Sequence, residues 1–303
     1  MRTNFGKSSG FRSYLRDRCL SNNNSYQDVL KNTSIYDVEN RLGSRTKRDI
    51  LKVMGMVMNH NSVLVMGPER MLNLPIEDMT NKFHRIVLAD LDTDTVSKAL
   101  ESKILDSHVR NKIDILEADV SGISYSYMDD LVNAAKSGNQ DHFFSLMMEP
   151  HADFEIKHQH FDFIVSSELV NNVADLACSY ILNSLMNADP IMGRQYIDMI
   201  ENEHDGGMLK LGFLSMHLNL MNKLLSPDGL AYFSYVKSTS RAGRLHYTFL
   251  SDEQIINEMQ KYFIIDHDFK ATEIEKELND AREKVGGYSI FPQVFLLRSK
   301  KHS

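Results

Sequence analysis

A chain of 303 residues with 42% apolar side chains has enough nonpolar surface for a sizeable core, which excludes an intrinsically disordered protein. Its formal net charge of −7 disfavours a nucleic-acid partner, whose affinity rests on neutralising phosphates. No run approaches the roughly 18 apolar residues of a membrane-spanning helix, and the two cysteines, Cys19 and Cys178, form no metal-ligand spacing and leave a disulfide possible but not required, so a reducing, cytoplasmic setting is expected.

The N-terminus carries Arg2, Lys7, Arg12, Arg16 and Arg18 against one acid, Asp17; it reads as a flexible basic tail, with an organelle-targeting segment as the alternative. After the Asn-rich stretch Ser21 to Tyr26, the residues Ile50, Leu51, Val53, Met54, Val57 and Met58 recur at helical spacing and predict a helix just ahead of the first strand. Ser62 to Met66 is a short apolar run ending at Gly67, and Arg85 to Ala89 is another ending at Asp90, the pattern of parallel strands buried on both faces. Asp92 is placed to cap a helix whose Val96, Ala99, Leu100 and Ile104 share a face, and Lys112 to Leu116 gives a third strand running into Glu117, Ala118 and Asp119.

The polar interval Ser121 to Gln159 holds a helix marked by Met128, Leu131, Val132 and Ala135, and Phe161 to Val165 is the fourth strand. The helix behind it is marked by Val173, Leu176, Ala177, Tyr180 and Ile181. Asp189 to Gly207, with Pro190 and the Gly206-Gly207 pair, reads as a lid or excursion more than a core element. A helix over Met208 to Leu225 leads through Ser226-Pro227-Asp228-Gly229, a tight turn, into a strand over Leu230 to Val236. Ser251 and Gln254 have the spacing of a capping box; Tyr262 to Ile265 starts a sixth strand, Ile274 to Lys284 is a charged helix, and Val294 to Leu297 lies within a seventh strand. Strands and helices in this alternation describe an α/β sheet with crossover helices. Such sheets bind ligands at the carboxyl ends of their strands, near the point where strand order reverses. Here those ends are Gly67, Asp90, Asp119 and Ser166.

Five stretches, in this order, resemble class I S-adenosylmethionine (SAM) dependent methyltransferases over about residues 46 to 298. They are Val63-Leu64-Val65-Met66-Gly67-Pro68-Glu69, Val87-Leu88-Ala89-Asp90-Leu91-Asp92, Ala118-Asp119-Val120, Phe161-Asp162-Phe163-Ile164-Val165-Ser166-Ser167-Glu168 and Leu224-Leu225-Ser226-Pro227-Asp228-Gly229. The resemblance implies a Rossmann-like seven-stranded α/β sheet of order 3-2-1-4-5-7-6 with the last strand antiparallel. It also implies a tail and helical cap over residues 1–60, then a SAM-binding domain over 61–303 with insertions at about 121–159 and 189–207. SAM is the implied cofactor. Gly67, Pro68 and Glu69 would wrap its methionine portion, Asp90 and the adjoining Leu91 its ribose, Asp119 and Val120 its adenine, and Ser166 would face cofactor and substrate.

Where the family's first loop reads acid-x-Gly-x-Gly-x-Gly, this chain holds Val65, Gly67, Glu69 and Met71, so one glycine remains and the resemblance is to a glycine-poor branch. Glu69 is the acid available to meet the cofactor's ammonium group. Asn73-Leu74-Pro75-Ile76-Glu77 then reads as a helix start, with Asn73 as its cap. A nicotinamide enzyme is disfavoured, because Gly67-Pro68-Glu69-Arg70-Met71-Leu72 lacks the Gly-x-Gly-x-x-Gly that seats a pyrophosphate.

The expected activity is methyl transfer from SAM to a small molecule or a protein side chain, with Glu168 or His204 as a base where the acceptor must lose a proton. Asp205, His246, Tyr247 and Tyr288 lie in segments that the family uses for substrate contact. Aminocarboxypropyl transfer on the same fold and a non-catalytic SAM-binding or protein-interaction module are the alternatives. His151, His158 and His160 invite a metal reading, but no acid or cysteine at ligand spacing completes it, and no metal is expected.

Overall fold

The computed structural model describes residues 10–15, 17, 33–68, 74–102, 107–149, 151, 156, 159–167, 169–201, 205–241, 244–247, 250–266 and 289–300. Helix α1 (Thr33–Met56) precedes β1 (Ser62–Met66) and buries Ile50, Val53 and Met54 of the expected stripe; Val57 is buried just past its end, whereas Met58, expected on the same face, lies beyond the helix and is exposed. Then follow α2 (Ile76–Lys82), β2 (Arg85–Asp90), α3 (Thr93–Ser102), α4 (Ser107–Arg110) and β3 (Ile113–Glu117). Asp92 caps α3 as expected, its Oδ1 accepting from the Thr95 N–H at 3.0 Å. Pro75 occupies the cap position of α2 with no side-chain cap bond, and Asn73 lies outside the described residues.

Two helices, α5 (Tyr125–Lys136) and α6 (Gln140–Met148), fill the interval before β4 (Phe161–Ser167). Helix α7 (Leu169–Ala188) follows, and α8 (Pro190–Glu201) occupies the stretch read as an excursion. Asp189 and Pro190 are there a helix start rather than a break. The Asp189 side chain accepts from the Ile191 N–H at 2.8 Å, and proline is tolerated in the first turn, where its missing donor would have no partner. Tyr196 and Ile200 of α8 are buried, which makes it part of a core.

Helix α9 (Asp205–Leu224) runs into β5 (Leu225–Arg241), followed by β6 (Arg244–Tyr247), α10 (Asp252–Tyr262), β7 (Phe263–Ile265) and β8 (Ser289–Ser299). The Ser226 to Gly229 turn is absorbed into β5. Leu225 pairs with Phe161 and Leu230 with Phe163, so the four residues between them bulge from the ladder. The capping box of α10 is present, with Ser251 and Gln254 bonded reciprocally. The expected helix Ile274 to Lys284 lies outside the described residues.

The strand path is β3-β2-β1-β4-β5-β8-β7, with β6 paired to β5 off the path. Strands β1 to β5 are mutually parallel, and β8 lies antiparallel between β5 and β7. Along that path the order is 3-2-1-4-5-7-6 with the last strand antiparallel, as the resemblance implied; β6 is an added hairpin strand that the sequence reading did not include.

One face of the sheet packs Leu64, Met66, Val87 and Ile164 against α9 and α10. The other packs Val63, Val65, Ile86 and Leu88 against α1, α2 and α3. A third apolar cluster is built from α5 to α9 and contains no strand residue among those described. The N-terminal segment belongs to it. Residues 10–15 are helical, and Phe11 and Leu15, at 0% and 3% exposure, are buried there, which corrects the flexible-tail expectation. The charge count concealed an i, i+4 apolar pair, Phe11 and Leu15, on one side of a helical turn.

Candidate cofactor site

Strand order reverses between β1 and β4, so the neighbouring tips of β3, β2, β1 and β4 form the edge where an open sheet binds its ligand. At the end of β1, Gly67 takes φ +62° and donates its N–H to the Ala89 carbonyl at 2.9 Å. A Cβ there would stand 2.8 Å from Leu169 Cδ1, so both the backbone angle and the start of α7 call for glycine. Pro68 beside it is buried.

At the end of β2, Asp90 is 9% exposed, and its Oδ1 accepts from the Asp92 N–H at 2.9 Å. Just past β3, Asp119 is 7% exposed, and its Oδ1 accepts from the Ser121 N–H at 2.8 Å. The two residues are built alike. Each folds one carboxylate oxygen onto the backbone two residues on, which fixes the side chain at a strand tip. The Ala118 N–H donates to the Asp90 carbonyl at 3.2 Å, so the segment leading to Asp119 is stitched to β2. Burial raises the Asp119 carboxyl above the usual aspartate value, while hydrogen bonds from Ser121 and Tyr125 and the charge of Arg12 act in the other direction.

The remaining expected residues divide. Leu91 is half-buried and packs on the strand-free cluster, where the sheet edge meets the helical layer. Val120 turns inward, 5% exposed, into the core between the sheet and α9, so its side chain is structural while its carbonyl is engaged by His217. Ser166 is fully buried at the tip of β4, and its hydroxyl bonds to His217 Nε2 at 2.8 Å. Glu69, Glu168, His204 and Tyr288 lie outside the described residues. Among the described residues no His, Cys, Asp and Glu cluster could hold a metal ion; His151 bonds the Glu149 carbonyl through Nδ1 at 2.8 Å and stacks on Tyr127, and His158 is outside the described set. None of the described helices is long and apolar enough to cross a membrane.

Sequence reasoning missed His217. It lies on α9, where Leu214, Met216, Leu218 and Met221 are also buried, and it is itself 1% exposed. A signal was present, because a helix apolar on nearly every side is buried, and a polar residue on it must find partners inside. The Val120 carbonyl can only accept, so Nδ1 carries the proton and donates to it at 3.0 Å, and Nε2 accepts from the Ser166 hydroxyl. Burial pushes the imidazole down to about 4, which keeps it neutral near pH 7.

No family model matches the sequence, and no curated protein matches it. Solved structures are similar in fold. One is a Burkholderia thailandensis 1,6-didemethyltoxoflavin-N1-methyltransferase with bound 1,6-didemethyltoxoflavin and S-adenosylhomocysteine, at 12% identity and a TM-score of 0.47 over 99% of this chain and 93% of that one. A SAM-dependent methyltransferase from Clostridium acetobutylicum aligns at 12% identity and 0.45 over 89% and 98%. The glycopeptide N-methyltransferase MtfA complexed with SAM aligns at 8% identity and 0.41 over 84% and 93%.

Proposed function

We propose that this chain is a SAM-dependent methyltransferase whose acceptor is a small molecule or a protein side chain. The observation that carries the reading is the pair of like-built carboxylates, Asp90 and Asp119, on the tips of adjacent strands beside the strand-order reversal, with Gly67 next in line on β1. This set of acceptors fits an adenosine. Ribose hydroxyls are donors, and a carboxylate at the end of β2 accepts from both. The exocyclic amine of adenine is likewise a donor, and Asp119 accepts from it. Gly67, whose φ of +62° turns the chain at the end of β1 with Leu169 packed where a side chain would stand, presents backbone to the methionine portion, and the half-buried Leu91 adds an apolar surface beside Asp90.

The cofactor's sulfonium supplies an already activated methyl group when bound. What is left to the chain is to align an acceptor with that methyl and to keep water away. The strand-free cluster of α5 to α9 provides the covering layer, since Leu91 at the sheet edge packs directly on it. Glu168 follows the last residue of β4 and His204 precedes the first of α9; they are the proposed bases for an acceptor that must be deprotonated. A cytoplasmic location accords with this chemistry.

Calorimetry with SAM and with adenosylhomocysteine tests the proposal. Saturable binding of both is expected, and neither binding at millimolar concentration would end it. The Asp90→Ala variant is expected to weaken adenosylhomocysteine by about 10- to 100-fold, the equivalent of losing charge-assisted hydrogen bonds worth about 1.5–3 kcal/mol. Asp90→Asn keeps an acceptor for the Asp92 N–H, so an equal loss in that variant assigns the effect to charge rather than to the turn. Product analysis distinguishes the chemistries, with adenosylhomocysteine from methyl transfer and methylthioadenosine from aminocarboxypropyl transfer.

A further inference from the structure

We propose that His217 is a positioning residue for adenine recognition, tying the loop that carries Asp119 to the tip of β4 and so fixing where that carboxylate stands. The inference rests on the cofactor reading above and adds a residue that reading does not use.

The two hydrogen bonds of the imidazole reach across 97 residues to Val120 and 51 to Ser166. In the sheet, β3 and β4 are separated by β2 and β1, the strands that carry Asp90 and Gly67. By holding the Val120 carbonyl within one ring's width of Ser166, His217 brings the chain after β3 back across the ends of those two strands. The bond falls on a sensitive atom. Asp119 folds its Oδ1 onto the Ser121 N–H, and the Val120 carbonyl is the peptide group inside that short turn. Releasing the carbonyl lets the turn rotate and takes Asp119 with it.

A second contact clamps the same loop to the same helix. Gly122 has φ +78°, and a Cβ there would lie 2.7 Å from the Met216 carbonyl oxygen, so the loop backbone touches α9 one residue from His217. A leucine at 217 would fill the space but leave both the Val120 carbonyl and the Ser166 hydroxyl without this partner in a dry interior, a situation buried polar groups avoid. The histidine therefore serves geometry rather than packing.

The test compares His217→Asn, whose amide can still donate to Val120, with His217→Gln, which reaches Ser166 but draws its donor away from Val120. The readout is discrimination between adenosylhomocysteine and S-inosylhomocysteine, which carries a carbonyl in place of the exocyclic amine. The wild type is expected to prefer the amine by at least about tenfold, since a carboxylate that accepts from the amine is left unsatisfied by the carbonyl. His217→Gln is expected to lose most of that preference while retaining a cooperative melting transition, and His217→Asn to keep it within about threefold of the wild type. A folded His217→Gln with undiminished preference overturns the proposal. If His217→Gln does not fold, nitrogen-15 spectra of the wild type decide. The Nδ1–H tautomer with signals that shift on saturation by adenosylhomocysteine supports the role, and imidazole signals unmoved by the ligand overturn it. Wild-type protein that binds neither nucleoside fails the cofactor reading and this proposal with it, whereas wild-type preference that survives in the folded variant fails this proposal alone.

Discussion

His217 and Asp119 meet through the Val120 carbonyl, and burial moves their proton equilibria to opposite effect. An unfolded imidazole takes up its proton near pH 6.5 and the buried one only near about 4, so between those values the unfolded chain binds more protons. Stability from this residue therefore falls as the pH is lowered through that window, by at most about 1.4 kcal/mol per pH unit. Asp119 has a raised carboxyl, so its contribution is full below 3.8 and fades as the pH rises through its folded value. Urea denaturation separates the two. Compared with the wild type, His217→Asn is expected to lose less stability between pH 6.5 and 4.5, and parallel curves for the two proteins would mean that the imidazole titrates normally.

Among the elements, the N-terminal turn changes the picture most. Phe11 lies 5.1 Å from the Tyr180 ring and 6.2 Å from the Tyr125 ring, and the Arg12 guanidinium sits over Tyr125 at 5.8 Å. The turn thus docks on α5 and α7 through aromatic contacts, with its cation on the side of Asp119. Truncating a fully buried phenylalanine removes its transfer energy and leaves a cavity, so Phe11→Ala is expected to lower unfolding stability by about 3 kcal/mol. A change below about 0.5 kcal/mol, the level of a surface substitution, would show that the turn is undocked in solution.

What the sequence disclosed follows from where local signals are strong. Val63 to Met66 and Phe161 to Val165 are buried on both faces, so their apolar runs announce strands, and the acids at positions 90 and 119 end up on one edge because parallel strands point the same way. Ser251 and Gln254 form the expected cap because both halves of a capping box are local. The failures have nonlocal causes. Asp189-Pro190 begins a helix and Ser226 to Gly229 vanishes into β5, since the same residue types mark a break, a cap or a bulge, and the neighbouring chain decides which. Ser166 was legible as a strand tip, but its commitment to His217 depends on a residue 51 positions away.

Over the whole molecule, the sheet is packed by two of the apolar clusters and the covering helices by the third, with α9 contributing to both faces of that divide. On the proposed function, a nucleoside held at the strand tips binds only the folded chain, so it must stabilise the fold by mass action. Adenosylhomocysteine at 100 times its dissociation constant is expected to add about 2.7 kcal/mol to unfolding stability, read as a higher melting temperature than in its absence. An unchanged transition at saturating ligand would contradict the cofactor reading without any appeal to turnover.

The helical cluster draws none of its described side chains from a strand, and this separates two traits that selection can act on. On the proposed function, exchanges among the apolar side chains of α5, α6 and α8 would alter the layer over the acceptor, while Asp90 and Asp119 stay anchored at the strand tips. A chain so built can diverge in its helical layer while keeping its strand tips, and α9, shared by both layers, is the part least free to change.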